Sequence, residues 1–330
     1  MNIAVDARCL VKDGQDESAD FIFEIFSKIT ALHKEHTFIF IFEKPIPSFV
    51  FTGNVVPVIQ TPTVNSSATY HIWYNIKLPL LLKKYKADVF VGTDGFCSLT
   101  TRVPQCLVLS DLSFLQFPLF TPKKRLAISK KFTRRFVKKA TTIVTGSVYV
   151  KNEIINHYKS SPDKIQVIYP VVNEGPKPLS VDERESVKAK AADGNEYFVY
   201  AGLIHPSKNL MNLLKAFSAF KKRQKSSMRL VIVSALPAQY DELIASLQLF
   251  KFKSDVILLT EQPAIEVSRV IASAYAMIYV PFVENTPIAL LTAMKAGTPI
   301  VTSSNEALRE VCDDAALYAH PENFKEIAVK

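Results

Sequence analysis

Short runs of β-branched and aromatic residues alternate with longer amphipathic stretches along the whole chain. That alternation limits the fold more than any other feature. "NIAVDA", "HTFIFIF", "DVFVG", "CLVLS", "TTIVTG" and "KIQVIYP" have the composition of strands. Between them, 18–32, 73–86, 122–139 and 148–157 carry helical patterning. A β-α alternation of this kind predicts a parallel sheet covered on both faces. The polar, proline-containing passage "PVVNEGPKPLSVDERESVKAKAADGNE" interrupts the pattern, which then restarts. "YFVYAG", "RLVIVS", "DVILLT", "AMIYVPF" and "TPIVTS" read as strands, with helices over 209–222, 240–250, 263–274, 287–296 and 306–311. A chain of 330 residues is long enough for about two domains of ordinary size. The expectation is an α/β protein of two doubly wound, Rossmann-like domains, 1–172 and 173–330, facing a cleft. Ligands in such sheets bind beyond the carboxyl ends of strands. That singles out Asp6, Asp111, the stretch from Gly202 to Lys208, Glu261 and Glu284.

Composition narrows the function classes. The four cysteines, Cys9, Cys97, Cys106 and Cys312, lack zinc or redox-motif spacing. With scattered histidines and no H-E-x-x-H, no metal is expected. No apolar run approaches the ~18 residues of a membrane span, and the N-terminus does not read as a signal peptide. These features predict a cytoplasmic protein. The formal net charge of +9 favours anionic partners. Glycine is scarce, 9 residues, which limits loops that cradle phosphate closely.

Several blocks, in order and spacing, make the chain resemble a family 4 retaining glycosyltransferase (glycosyl transferases group 1) with the GT-B fold. They are "LSDLSFLQFPLF" with the basic helix after it and "ATTIVTGSVYVKNEII", then "YAGLIHPSKNLMNLLKAF", then "VPFVENTPIALLTAMKAGTPIVTSSNEALREV". The resemblance covers essentially the whole chain. It implies transfer of a hexose from a nucleotide diphosphate-sugar to a glycan or lipid-linked acceptor in polysaccharide or cell-envelope glycan assembly. It also implies a reaction without metal, in which positioning and charge stabilisation dominate. Carried over residue by residue, Lys208 takes the donor diphosphate and Glu284 the donor hexose, with Gly202, Asn209, Asn285, Thr286 and Thr292 completing the donor pocket. Ser110 and Asp111 fall on the acceptor side.

The chain departs from the family pattern at identifiable places. Leu203 stands where the family has the arginine that helps neutralise the diphosphate. Thr292 stands at the second glutamate, which holds the ribose. Ser18 and Asp20 occupy the glycine positions of the first loop, where Gly14 is the nearest glycine, and Ser110 replaces a histidine. Thr286 and Pro287 predict an N-cap and first turn in place of the family's glycine turn. A lost hydrogen bond to a charged group costs about 1.5–3 kcal/mol. Losing the arginine and one loop amide therefore weakens donor binding by about 10²–10⁴-fold if the losses add. Two readings follow: a transferase with an altered donor grip, and a catalytically silent relative that binds a glycan or a partner enzyme.

The densest charge feature is "TPKKRLAISKKFTRRFVKKATT". Nine Lys or Arg fall between Lys123 and Lys139, and no Asp or Glu occurs between Asp111 and Glu153. Lys130, Lys131, Arg134, Arg135 and Lys138 share one helical face, and Leu126, Phe132, Phe136 and Val137 the other. The basic face predicts contact with an anionic membrane surface or a lipid-diphosphate acceptor, hence a location peripheral to the membrane. No nucleic-acid-binding motif accompanies it.

Overall fold

The computed structural model describes residues 1–11, 17–44, 53–170, 178–234, 247, 250–284 and 287–330. Gly14, Asn285 and Thr286 lie outside the described residues, as does most of the helix expected over 240–250. Contacts divide the chain into two compact units, Met1–Pro170 and Val171–Lys330.

The first unit is a seven-stranded parallel sheet in the order β3-β2-β1-β4-β5-β6-β7. Its strands are β1 (Asn2–Asp6), β2 (Thr37–Phe42), β3 (Val55–Ile59), β4 (Val89–Gly92), β5 (Gln105–Val108), β6 (Thr142–Thr145) and β7 (Ile165–Val167). One face is covered by α1 (Glu17–Leu32), whose Ile22 and Phe26 pack on Val5, Phe38 and Phe40. Ser18 and Asp20 fall in the first turn of this helix. The other face is covered by a three-part helix: α2 (Ser67–Ile72), a π turn (Trp73–Lys77) and α3 (Leu78–Lys84). After a short α4 (Ser113–Gln116) comes the basic helix α5 (Lys123–Lys139), followed by α6 (Val148–Tyr158). Tyr70, Trp73 and Tyr74 join Phe132 and Phe136 in one core against Ala4, Ile39 and Ile41. The apolar side of α5 is therefore spent on the sheet, and its cations other than Arg125 point outward.

The second unit is a six-stranded parallel sheet in the order β10-β9-β8-β11-β12-β13. Its strands are β8 (Tyr197–Ala201), β9 (Arg229–Ser234), β10 (Val256–Thr260), β11 (Ala276–Tyr279), β12 (Ile300–Ser303) and β13 (Leu317–Ala319). Strand order reverses between β1 and β4 in the first sheet and between β8 and β11 in the second. At such switch points loops diverge to opposite faces and leave a crevice.

Three elements differ from the sequence reading. β3 holds Pro57, which argues against a strand, but it sits at a sheet edge, where a missing N–H is tolerated. β13 is a three-residue edge strand, too short to carry a pattern. The passage read as a polar separator contains α7 (Val181–Ala192). A capping box starts it: Ser180 accepts from the Glu183 N–H, and the Glu183 carboxylate accepts from the Ser180 N–H. Its only buried apolar residues are Val187, Ala191 and Ala192, so its hydrophobic period is faint.

Candidate functional site

The switch point of the second unit gathers most of the donor-side candidates. β8 runs into Gly202, whose φ of 149° favours glycine because an L side chain rarely adopts it. The Tyr200 hydroxyl donates to the Leu203 carbonyl at 2.7 Å and fixes the loop that follows. Pro206–Lys208 form a single 3-10 turn, ahead of the helix expected over 209–222. The His205 side chain caps this turn by accepting from the Ser207 N–H at 3.2 Å. Burial, and then the Lys208 charge, hold the His205 pKa below its ordinary value, which favours the neutral ring that can accept. Asn209 then takes a left-handed conformation at φ 61°, and α8 (Leu210–Gln224) begins after it.

From the other side of the crevice comes Glu284. Its Oε2 accepts from both the Lys208 ammonium and the Tyr279 hydroxyl. The Lys208 Nζ also lies 5.7 Å from the centre of the Tyr279 ring. The site is framed by backbone. The Phe282 N–H donates to the Ser207 carbonyl at 2.8 Å, tying the two loops together. Thr302 Oγ1 donates to the Tyr279 carbonyl at 2.7 Å, and Ser303 Oγ to the Pro281 carbonyl at 2.5 Å. Lys208 and Glu284, 76 residues apart, thus meet in a largely buried ion pair held on both flanks. Tyr279 escaped sequence reasoning. Its signal was a polar-tipped aromatic at the last position of a switch-point strand.

Other donor-side candidates have structural partners. Asn209 donates its amide hydrogens to the Val280 carbonyl at 2.8 Å and the Pro321 carbonyl at 2.7 Å, so it clamps the end of β11. Thr292 Oγ1 donates to the Ile288 carbonyl one turn back, at 2.9 Å. The helix carrying it spans Ile288–Ala296, with Pro287 at the N-cap rather than inside the first turn. Pro287 provides no N–H for a ligand.

The switch point of the first unit is filled differently. Asp6, at the end of β1, takes a bidentate pair from Arg8, with Nε at 2.8 Å and an Nη at 2.9 Å. The Tyr74 hydroxyl donates to Asp6 at 2.6 Å, and the Arg8 guanidinium stacks over Trp73 and Tyr74. Burial lowers the Arg8 pKa, but Asp6, Tyr74 and Asp94 together raise it above its ordinary value and hold the charge on. Beside this plug lies a cavity of about 320 Å3 lined by Asp94, Phe96, Ser110, Asp111, Phe114 and Arg125, among others. Arg125 donates to the Asp94 carboxylate at 2.9 Å and lies over the Phe96 ring. Asp111 accepts from the Ser113 N–H at 2.6 Å and so helps start α4. Asp94 and Arg125 were not singled out from the sequence.

Among the described residues one cluster has metal-ligand proximity, His33, Glu35 and His36. It sits before β2, at the amino end of the sheet, away from the switch point.

Comparisons with known proteins bear on the family and the fold. Residues 29–175 match Glycosyltransferase Family 4 and residues 181–330 match Glycosyl transferases group 1. The chain belongs to the family 4, group 1 glycosyltransferases. It is 26% identical over 251 residues to the O-antigen chain mannosyltransferase B of Escherichia coli, covering 75% of this chain and 65% of that one. It is 28% identical over 192 residues to the O-antigen chain mannosyltransferase RfbU of Salmonella typhimurium strain LT2, covering 57% and 49%. The match thus spans less than two thirds of either relative. In fold it resembles WaaG, a glycosyltransferase involved in lipopolysaccharide biosynthesis, with a TM-score of 0.74 at 15% identity over 100% of this chain and 89% of that one. It also resembles Anabaena Alr3699/HepE in complex with UDP and glucose, with a TM-score of 0.72 at 12% identity, covering 100% and 88%. The fold is therefore GT-B, and the two parallel sheets are its two Rossmann-like halves.

In this family 4 glycosyltransferase, two of the departures from the family pattern, Leu203 and Thr292, lie in the second unit, and Ser18, Asp20 and Ser110 lie in the first. Leu203 offers its carbonyl to Tyr200 and no cation to a ligand. The Lys208–Glu284 pair remains intact.

Proposed function

We propose that the chain transfers a hexose, with retention of configuration, from a nucleoside diphosphate-sugar to a glycan or lipid-linked acceptor in polysaccharide assembly. The observation that carries this reading is the Lys208–Glu284–Tyr279 cluster at the β8/β11 switch point, beside Gly202. Each charge of the pair satisfies the other. An incoming diphosphate supplies Lys208 with a second anion and frees lone pairs on Glu284. A carboxylate only accepts, which suits it to the hydroxyls of the donor hexose. Tyr279 keeps one oxygen of Glu284 oriented throughout. The leaving diphosphate takes the acceptor proton, so the protein's share is positioning and charge stabilisation, with no metal in the scheme. Two relatives are mannosyltransferases, which makes mannose the first hexose to try.

On the acceptor side, the cavity with Ser110 and Asp111 combines hydrogen-bonding groups with the rings of Phe96 and Phe114. That mixture suits a sugar ring, with polar edges and an apolar face. The exposed cations of α5 support peripheral contact with an anionic membrane, where a lipid-linked acceptor is held.

Calorimetry with uridine and guanosine diphosphates and their glucose and mannose conjugates tests the donor site. Submillimolar binding lost in Lys208→Ala is expected. Absence of binding below millimolar, with Lys208→Ala indistinguishable, sinks the transferase reading. The altered ribose position, where Thr292 bonds its own helix, favours a second reading: a silent relative that binds a glycan. Glycan binding with no nucleotide binding and no sugar transfer identifies it.

A further inference from the structure

α2, the π turn and α3 leave an apolar stripe in the open. Ile72 is 38% exposed, Ile76 49% and Leu80 65%. The three are spaced four residues apart. In a straight α-helix such a series rotates by about 40° per step. The π turn Trp73–Lys77 has more residues per turn and takes up part of that rotation, which keeps the three side chains on one outward line. The opposite side of this helix is fully committed, with Tyr70, Trp73, Tyr74, Leu78, Leu81 and Leu82 in the core.

The stripe lies beside the basic helix. Tyr70 of α2 packs on Phe132 and Phe136 of α5, with ring centroids 4.9 and 5.4 Å apart. Both helices cover the same face of the same sheet, so their outward sides look the same way. On α5 that side carries Lys130, Lys131, Arg134, Arg135, Lys138 and Lys139, all exposed. No acidic residue occurs between Glu43 and Asp88, nor between Asp111 and Glu153, so neither helix carries an acid. An apolar line flanked by cations, with no acid to repel phosphate, has the chemistry of a surface that lies in the headgroup layer of an anionic bilayer.

We propose that Ile72, Ile76 and Leu80 insert into an anionic lipid surface while the exposed cations of α5 hold its headgroups, so that the two helices form one docking face. This rests on the reading of α5 as a membrane-contact element and adds an apolar component to it. Charge alone gives adsorption that salt reverses. Apolar insertion adds a salt-resistant part and fixes the orientation of the first unit on the surface.

The test is co-sedimentation of the full chain with vesicles of phosphatidylcholine alone or with about a third phosphatidylglycerol, a strongly anionic composition. The wild type is expected to bind only the anionic vesicles. Ile72→Ser/Ile76→Ser/Leu80→Ser is expected to weaken that binding by about tenfold or more, with circular dichroism unchanged, because the replaced groups are exposed. Lys130→Ala/Arg134→Ala/Lys138→Ala is expected to weaken it and to flatten its salt dependence. Leu80→Trp is expected to shift its emission to the blue on anionic vesicles, independently of the serine variant's folding. Binding to anionic vesicles that ignores the serine changes, with no shift in Leu80→Trp, overturns the inference and leaves α5 as a purely electrostatic contact. No vesicle binding by the wild type overturns both readings. Concentration-dependent self-association abolished by the serine variant assigns the stripe to a second copy of the chain and also overturns the inference.

Discussion

The two units place an acid and a base at equivalent points of equivalent sheets, yet the two pairs serve different ends. In the first unit Asp6 and Arg8 are two residues apart, with side chains 0% and 3% exposed, and a bidentate geometry backed by Tyr74, Trp73 and Asp94. In the second, Lys208 and Glu284 come from two loops, with side chains 11% and 5% exposed, joined through a single carboxylate oxygen. The first pair is a closed plug with every strong partner in place. In the second, the ammonium meets one carboxylate oxygen among the described contacts, beside a glycine with positive φ. An ammonium is a compact charge that can turn from one anion to another, whereas a stacked, forked guanidinium is fixed. A shared topology thus yields one switch point closed by a forked, stacked pair and one that, on the proposed reading, exchanges its partner for a ligand.

The comparison breaks most visibly if the acids are removed one at a time. Asp6→Ala leaves the Arg8 guanidinium buried with only weaker partners, and the cost is expected to be about 3–5 kcal/mol of stability. Chemical denaturation checks it. Glu284→Ala also strands a charge, but Lys208 is nearer solvent and can relax, so a smaller loss is expected. Nucleotide-sugar transfer should separate the two in the other direction. Glu284→Ala is expected to lower transfer by about 10²-fold or more, the scale of a lost charge-stabilising contact. Asp6→Asn should leave transfer by the folded fraction near the wild type. Equal loss of transfer in both variants ends the distinction between plug and site.

Sequence reading reached the second switch point better than the first, for a physical reason. Lys208 and Glu284 stand in segments whose order and spacing carry the family pattern, so both were assigned to one donor pocket; their ion pair across 76 residues appears only in the fold. Asp6 was visible only as a charge after a strand. Its partner Tyr74, and the Asp94 that also faces Arg8, are scattered along the chain, and nothing local marks them as a network. The sheets were legible because buried parallel strands are written in β-branched and aromatic runs. β3, β13 and α7 were not, because an edge strand needs little apolar surface and a capped helix with three small buried residues needs little more. A local start signal was also misleading: Pro287, expected inside the first turn, takes the cap position.

Restoring what the family has and this chain lacks sharpens the same comparison. Leu203→Arg puts a second cation at the donor switch point, on a loop already fixed by Tyr200. A charge-assisted hydrogen bond is worth about 1.5–3 kcal/mol, so nucleoside diphosphate affinity is expected to rise by about 10- to 150-fold. Calorimetry measures it directly. An unchanged or weaker affinity means that the loop does not face a bound diphosphate, which counts against the proposed donor site.

The smallest expected effect concerns pH. His205 caps the Pro206–Lys208 turn through a ring nitrogen that must be unprotonated to accept the Ser207 N–H. Burial and the neighbouring Lys208 lower its pKa in the folded chain. The unfolded chain therefore takes up a proton first as pH falls through the ordinary value of about 6.5. The stabilising contribution is complete above that pH and declines below it, until the folded ring protonates as well. Replacement by asparagine keeps an accepting oxygen at the cap but has no titration near neutrality. The stability difference between wild type and His205→Asn should be constant above about pH 7 and shift against the wild type toward pH 5. The first unit has no histidine in its Asp6–Arg8 plug, so Asp6→Asn should show no such inflection over that range. A difference that is flat for His205→Asn means the ring does not cap the turn in solution, and the exchangeable switch point is then held by its backbone ties alone.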